Sequence, residues 1–486
     1  MLSIRRAARS LVPVAVAAVL AGCALGPNYK RPDAAVTEHY KNPVDTTAPA
    51  PPDQWWTLFG DSVLNDLEQQ VEVSNQNIAQ AAAAYMQARA VVRQDRSGLL
   101  PSVSLSGGVT RSGGASEFGG SSIVTGTGGT GIIVPGSTTS TSYQLSPSAS
   151  WELDVWGRLR RTLENGRASA QASAADLANA KLSAQSQLAI AYLELRGADA
   201  QRKLLAGTET AYSRTLTITQ NKYKAGVSAR TDVLQAQSQL YSAQEQEQSE
   251  LLQRNQYENA IAALVGKSAS GFTIAPLDTW DIGTPQIPAG APSELLQRRP
   301  DVAVAERQMA AANATIGVQE AAYFPAIDLT GSYSLVSTAA NMLFKSTSLS
   351  HSIGASLSQT LLDFGARRAQ VDEARDSYAQ AVASYRQTVL TAFQDVENDL
   401  TGADIYQKEY ELLRLNSEAL DLSETLTLNE YKAGTVDFTT VVVAQTSALN
   451  ARLSLAQMRV TRQTNAVTLI TDLGGGWKMP DYSHYE

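Results

Sequence analysis

No proline falls between Pro147 and Pro276 or between Pro325 and Pro480, in a chain that carries 17 elsewhere. An interior proline removes a helical hydrogen bond and clashes with the preceding turn, so these two tracts are free to hold helices of unusual length. From Arg158 to about Tyr223, apolar residues recur at spacings of three and four: Leu159, Leu163, Leu188, Tyr192, Leu195 and Tyr212 mark the stripe. At a rise of 1.5 Å per residue this predicts a rod of roughly 100 Å. Such a length belongs to a coiled coil or helical repeat, not to an ordinary globular helix. Lys224-Ala225-Gly226 should end it, with Gly226 supplying a left-handed C-terminal position. A return helix is predicted from Thr231 or Asp232 to about Val265, with Thr231 or Ser228 as candidate N-caps. The second tract repeats the plan: Ala366 to Tyr431, a stop at Lys432-Ala433-Gly434, then Phe438 to Thr471 and a closing Gly474-Gly475-Gly476.

The two tracts are copies. Tyr223-Lys224-Ala225-Gly226 matches Tyr431-Lys432-Ala433-Gly434, and Ala236-Gln237 matches Ala444-Gln445, both at an offset of 208 residues. Trp156-Gly157 and Phe364-Gly365 share that offset. Upstream, the stretch Leu99 to Gly107 matches Tyr323 to Gly331 at an offset of 224. The first copy therefore carries 16 extra residues between Gly107 and Gly157, in a Gly-, Ser- and Thr-rich stretch that reads as an exposed loop.

Ahead of each long helix sits a pair of segments with period-two alternation, at about 101–112, 143–154, 326–336 and 350–361. Val103, Leu105 and Val109 alternate with Ser and Gly, and Ile353, Ala355 and Leu357 alternate with Gly and Ser. Alternation over about ten residues fits a transmembrane strand, or a soluble sheet with one wet face. Four strands cannot close a barrel around a pore, and open sheet edges are not tolerated in lipid. A membrane role would therefore require several chains.

The front of the chain supplies an address. Arg5, Arg6 and Arg9 precede a short apolar run from Leu11 to Leu20, and Leu20-Ala21-Gly22-Cys23 follows. Residues 1–22 read as a cleaved signal peptide, since the run is too short to span a bilayer. Cys23 is the only cysteine, so it forms no intramolecular disulfide. The Leu20–Cys23 stretch resembles the lipobox of bacterial lipoproteins. That resemblance implies acyl chains on Cys23, and Ala24 at the next position implies delivery to the outer membrane. The proline-bearing residues that follow read as a tether.

The formal net charge of −8 argues against a nucleic-acid partner, which calls for a basic patch. The mature chain has no apolar run long enough for a helical membrane span. His39, His351 and His484 fit no metal-ligand spacing. No catalytic constellation or phosphate-binding glycine loop is present, so neither an enzyme, a metal nor a cofactor is expected.

Ser293 to Pro325 reads SELLQRRPDVAVAERQMAAANATIGVQEAAYFP. It resembles the signature of the outer membrane efflux family, the TolC-like channels, and within it the OprM-like lipoprotein branch. Gly26-Pro27-Asn28-Tyr29, Trp55-Trp56 with Phe59 and Asp61, and Leu473 to Trp477 also match. The resemblance implies a membrane β-barrel plus a long α-helical coiled-coil barrel, built by a homotrimer with four strands per chain. It divides the chain into a lipidated tether and equatorial segment (23–60), a first efflux repeat (61–265), an equatorial linker (266–292), a second repeat (293–473) and an equatorial tail (474–486). Tip loops at about 224–231 and 432–438, marked by Gly226 and Gly434, would dock a periplasmic adaptor (membrane fusion) protein, itself joined to an inner membrane RND-type transporter. The implied function is passive conduction of drugs or other toxic small molecules. A polypeptide-secreting channel of the same fold and a pore-less coiled-coil lipoprotein are the alternatives. Family gates lie on the return helix after the second tip, where this chain has Thr440 and Val443. Many members carry aspartate there. Asp437 or Asp232 would have to supply the charge, or would otherwise serve as helix caps.

Overall fold

The four longest helices all lie within the two proline-free tracts. A computed structural model describes residues 24–33, 39–41, 52–115, 137–277, 280, 282–287 and 295–480. Cys23, most of the tether and the Gly-, Ser- and Thr-rich loop lie outside the described residues. In chain order the described elements are α1 (Ser62–Ser74), α2 (Gln76–Gly98), β1 (Ser102–Ala115), β2 (Ser137–Glu152), α3 (Arg158–Lys224) and α4 (Arg230–Leu264), followed by α5 (Pro300–Ala321), β3 (Ala326–Ser337), β4 (Leu349–Ser358), α6 (Ala366–Ala433) and α7 (Phe438–Asp472). The long helices α3 and α6 hold 67 and 68 residues, and the return helices α4 and α7 hold 35 each.

The repeat is wider than its sequence matches suggested. α2 begins at Gln76 and α5 at Pro300, an offset of 224, so each copy is a helix, a hairpin, a long helix and a return helix. Neither α2 nor α5 was expected as a helix, because both are rich in alanine and carry few large apolar residues to mark a stripe.

Two compact units divide the chain. The first takes residues 1–30, 88–169 and 309–380 and contains the four-stranded antiparallel sheet, in the order β1-β2-β3-β4. Its register is regular: Ser102 faces Ser150, Trp151 faces Leu329, and Ala326 faces Ser358. Below the sheet, Trp156 stacks on Phe324 at 4.8 Å and donates its indole N–H to the Pro325 carbonyl at 2.8 Å.

The second unit takes residues 31–87, 170–308 and 381–486. Its core joins Trp55, Trp56, Leu64 and Val71 to Leu188, Tyr192 and Leu195 of α3 and to Val467 and Ile470 of α7. Asp61 caps α1 by accepting from the backbone N–H groups of Val63 and Leu64, and it also accepts the Tyr192 hydroxyl at 2.7 Å. Burial, then this hydrogen bond, pushes the Tyr192 phenol above its ordinary range. At the far end of α4, the Asn75 side chain donates to the Leu264 carbonyl and so satisfies one of the helix's terminal acceptors.

Glu68 lies on the buried face of α1 with no exposed surface, and neither carboxylate oxygen has a hydrogen-bond partner among the described residues. Desolvation raises its pKa from 4.5 to about 9. The native chain thus keeps a proton that the unfolded chain releases between those values. Stability from this group is fully present below pH 4.5 and is lost as pH rises through about 9. Glu68→Gln is expected to flatten that slope, whose ceiling is about 1.4 kcal/mol per pH unit. Thermal melts of both chains at pH 5 and pH 8.5 check it. A wild-type slope unchanged by the substitution would refute the assignment.

Candidate functional site

The sheet has two chemically opposite faces. Because successive side chains alternate, one face carries the odd-numbered residues: Val103, Leu105 and Val109 of β1, Leu145 and Trp151 of β2, and Ile353 and Leu357 of β4. Several stand open: Val103 is 77% exposed and Ile353 is 91% exposed. The other face is a lattice of hydroxyls. Ser102 meets Ser150, Ser104 meets Ser148, and Ser332 meets Ser352, each at 2.8 Å, while Ser146 meets Ser334 at 2.7 Å. An apolar face this large would be an aggregation liability in water. In a bilayer the pattern is the expected one, apolar toward lipid and polar toward a lumen. Beyond Val109 the apolar face gives way to Arg111 opposite Thr141, which ends the apolar band. β1 and β4 each pair with one neighbour only, so both sheet edges are open.

The residues following Cys23 are pinned beside this sheet. The Leu25 N–H donates to the Trp156 carbonyl at 3.1 Å. Arg161, with 3% exposure, donates to the carbonyls of Leu25 and Gly26 at 2.9 and 3.0 Å and to the Asn28 side chain at 3.0 Å. The chain can come this close because α5 presents Gly317. A Cβ there would stand 2.7 Å from the Leu25 carbonyl and 2.9 Å from the Arg161 side chain.

At the helix tips the two glycine stops behave alike. Gly226 and Gly434 have φ of 77° and 83°. In each, the glycine N–H bonds back to a tyrosine carbonyl (Tyr223, Tyr431), and the next residue's N–H reaches one position further back (Lys222, Glu430). These paired bonds close the helix end as a Schellman turn, which requires the left-handed residue. The two tips nevertheless differ in packing. Tyr431 is buried, with Phe438 at 5.4 Å and the Lys222 ammonium 3.8 Å from its ring. Its counterpart Tyr223 is 46% exposed. The copies differ here at Lys222, whose equivalent in the second copy is Glu430, and at Phe438, whose equivalent in the first copy is Arg230. A position-by-position comparison of the copies carries that signal, whereas the motif matches alone do not.

Asp437 and Thr440 are brought together. The Asp437 carboxylate accepts the Thr440 N–H at 2.9 Å and its hydroxyl at 2.7 Å, capping α7. These bonds hold the Asp437 pKa below the usual carboxylate range. Asp232 serves the start of α4, accepting the Ser228 hydroxyl at 2.5 Å and the Ala229 N–H at 3.3 Å. The N-cap of α4 is Ala229, and neither Thr231 nor Ser228 takes that position. The Asp232 carboxylate, reaching back one turn, accepts the N–H of the N-cap residue, the N3 half of a capping box. Val443 is 61% exposed on α7. Among the described residues, no cluster of His, Cys, Asp or Glu is arranged to hold a metal ion, and no helix is long and apolar enough to cross a membrane.

A sheet greasy on one side and hydroxylated on the other has the face chemistry of outer membrane strands. The chain belongs to the outer membrane efflux protein family, whose pattern matches residues 67–267 and 291–475. It is 29% identical to the toluene efflux pump outer membrane protein TtgC of Pseudomonas putida over 96% of each chain. It is 30% identical to the pyoverdine export outer membrane protein OpmQ of Pseudomonas aeruginosa over 87% of this chain and 88% of that one. Among solved structures, the outer membrane channel OprN superposes with a TM-score of 0.83 at 30% identity, covering 94% of this chain and 100% of that one. The protein is thus an efflux channel of the outer membrane.

Proposed function

We propose that the chain is the exit duct of a tripartite efflux system, conducting small toxic molecules passively as a homotrimer. The single observation that carries this is the sheet, whose apolar outer face and serine-lined inner face presuppose a lumen. Twelve strands from three copies would close it, and the helix tips at Gly226 and Gly434 would dock a periplasmic adaptor that hands substrate on from an inner membrane RND-type transporter. Energy comes from that transporter, and this chain supplies the passage. Lipid on Cys23 would add a second anchor. The pinning of Leu25 onto Trp156 supports this reading, because it holds the residue two positions beyond Cys23 against the base of the sheet.

The tip reading places a constriction near Thr440 and Val443. Asp437 keeps its negative charge in its cap, so the proposed constriction is an apolar ring at Val443 with a carboxylate at the start of the same helix on each copy. Related channels named for toluene and for pyoverdine differ too much in cargo to fix the substrate of this one. Purified protein in a planar bilayer should give discrete conductance steps. Silent bilayers from correctly assembled, protease-resistant protein would refute the channel and leave the structural lipoprotein. Export of an unfolded polypeptide but not of small dyes, in a strain lacking its own channel, would favour secretion.

A further inference from the structure

We infer that the internal repeat dictates the seam between copies: β4 pairs antiparallel with β1 of the next copy so that Leu357 lies opposite Gly107, and Phe364 closes over Leu100 of that copy. The inference rests on the proposed self-assembly and adds to it a register and a clasp.

The register follows from how faithfully the repeat preserves hydrogen bonding. Ser102 pairs with Ser150 in the first hairpin. Moving β1 forward by 224 residues and β2 by 208 turns this pair into Ala326 and Ser358, which are partners in the second hairpin. The offsets were set by sequence similarity and the pairs by backbone hydrogen bonds, so this agreement is independent. The junction between copies within the chain is β2 with β3, where Ala149 faces Gly331. Advancing β2 to β4 and returning β3 to β1 by the same offsets puts Leu357 against Gly107, and Ala355 against Val109, of the neighbour. Odd-numbered residues stay opposite odd-numbered residues, so the apolar face runs unbroken across the seam. A slip of one residue would turn it inside out.

The clasp follows from Phe364. Among the described residues it is the only non-glycine at positive φ, at 52°, and its side chain is 94% exposed. A bulky residue in the left-handed region is strained, and such strain persists only where surrounding structure enforces it. Its counterpart Trp156 is covered by Phe324, and the counterpart of Phe324 is Leu100, which is 66% exposed. The in-chain clasp thus has its two halves laid open on opposite edges of the sheet, where only another copy can unite them. Leu361 and Leu362, 89% and 72% exposed, flank Phe364 on the same edge. Phenylalanine lacks the indole donor that bonds Trp156 to Pro325, so the seam between copies forgoes that hydrogen bond.

The test is disulfide trapping in a full chain with Cys23→Ser and a non-lipoprotein cleavable signal. Leu357→Cys is combined in turn with Gly107→Cys, Leu105→Cys and Val109→Cys. Directly opposed residues fall within disulfide reach, whereas diagonal ones sit about 7–8 Å apart. The Gly107 pair should cross-link between copies at least tenfold faster than either neighbour, giving covalent oligomers on non-reducing gels. Faster trapping at Leu105 or Val109, or none at any pair in oligomers of normal size, overturns the register and leaves self-assembly standing. A parent chain that stays monomeric in detergent and in bilayers overturns both. Phe364→Ala should lower the temperature at which oligomers dissociate, and Phe364→Trp should restore it. An unchanged dissociation temperature in Phe364→Ala overturns the clasp.

Discussion

Asp199→Ala is expected to cost about 3–5 kcal/mol, because it would strand the buried Arg196 guanidinium and leave Arg254 with Glu258 as its one remaining carboxylate. The Asp199 side chain is 2% exposed. It accepts from Arg196 at 3.2 Å and from Arg254 at 2.7 Å, and both arginines are similarly buried. Each arginine also donates to a backbone carbonyl, Ala275 for Arg196 at 2.7 Å and Ile274 for Arg254 at 2.5 Å. Asp199, together with Glu258, which meets Arg254 at 3.3 Å and accepts the Ile274 N–H at 2.6 Å, balances the two arginines that hold the segment after α4 on α3. Without Asp199 the arginines can recover water only by breaking those carbonyl bonds, which would release the segment around Ile274 from the core. Hydrogen exchange is the direct readout. Amides near Ile274 should exchange about a hundred- to a few thousand-fold faster, as such an energy implies at 1.4 kcal/mol per tenfold. Asp199→Asn keeps an acceptor and should fall in between. A surface control, Lys408→Ala, removes an exposed pair with Asp404 and should shift exchange by less than about threefold. Equal effects of the two alanine substitutions would show that the buried network is not what holds the segment.

That network also marks where reading the sequence runs out. The counterparts of Arg196, Asp199 and Arg254 in the second copy are Asp404, Gln407 and Arg462, so the triad exists once. On a helix that is polar on most faces, a buried aspartate looks like any solvated one, and Glu68 and Arg161 were hidden in the same way. The long helices were legible because their ends are written in backbone chemistry. A missing proline allows them and a left-handed glycine stops them, so α3, α6 and α7 begin where the sequence places them. Strand inner ends were legible through alternation at Val103 and Ile327. The outer end of β2 was not: from Ser137 to Ser142 it is all serine and threonine, and a strand without an apolar side leaves no period to read. The tip was half legible. The glycine positions and the capping role of Asp437 could be anticipated. The burial of Tyr431 under Lys222 depends on contact between the copies, which no single helix pattern contains.

Opposite faces of one strand should respond oppositely to charge, and the contrast decides whether the sheet faces lipid at all. Leu105 lies within the apolar stretch of β1 from Val103 to Val109 and is 68% exposed. An arginine near the bilayer midplane costs about 2–4 kcal/mol on the lipid face of a barrel. Leu105→Arg is therefore expected to lower the urea midpoint for folding into vesicles and to reduce the recovered oligomer. Its neighbour Ser104 points to the other face, where its hydroxyl meets Ser148 at 2.8 Å. Ser104→Arg loses that one bond, worth about 1 kcal/mol, and its long side chain can reach water in the lumen. It should leave folding close to wild type but put one positive charge per copy on the conduction path, lowering cation conductance and raising anion preference. Stability read by urea titration and selectivity read by reversal potential separate the two effects. A larger folding cost at Ser104 than at Leu105 would invert the faces. Equal small costs at both would place the sheet in water, and with it would go the argument that open edges must be closed by further copies of this chain.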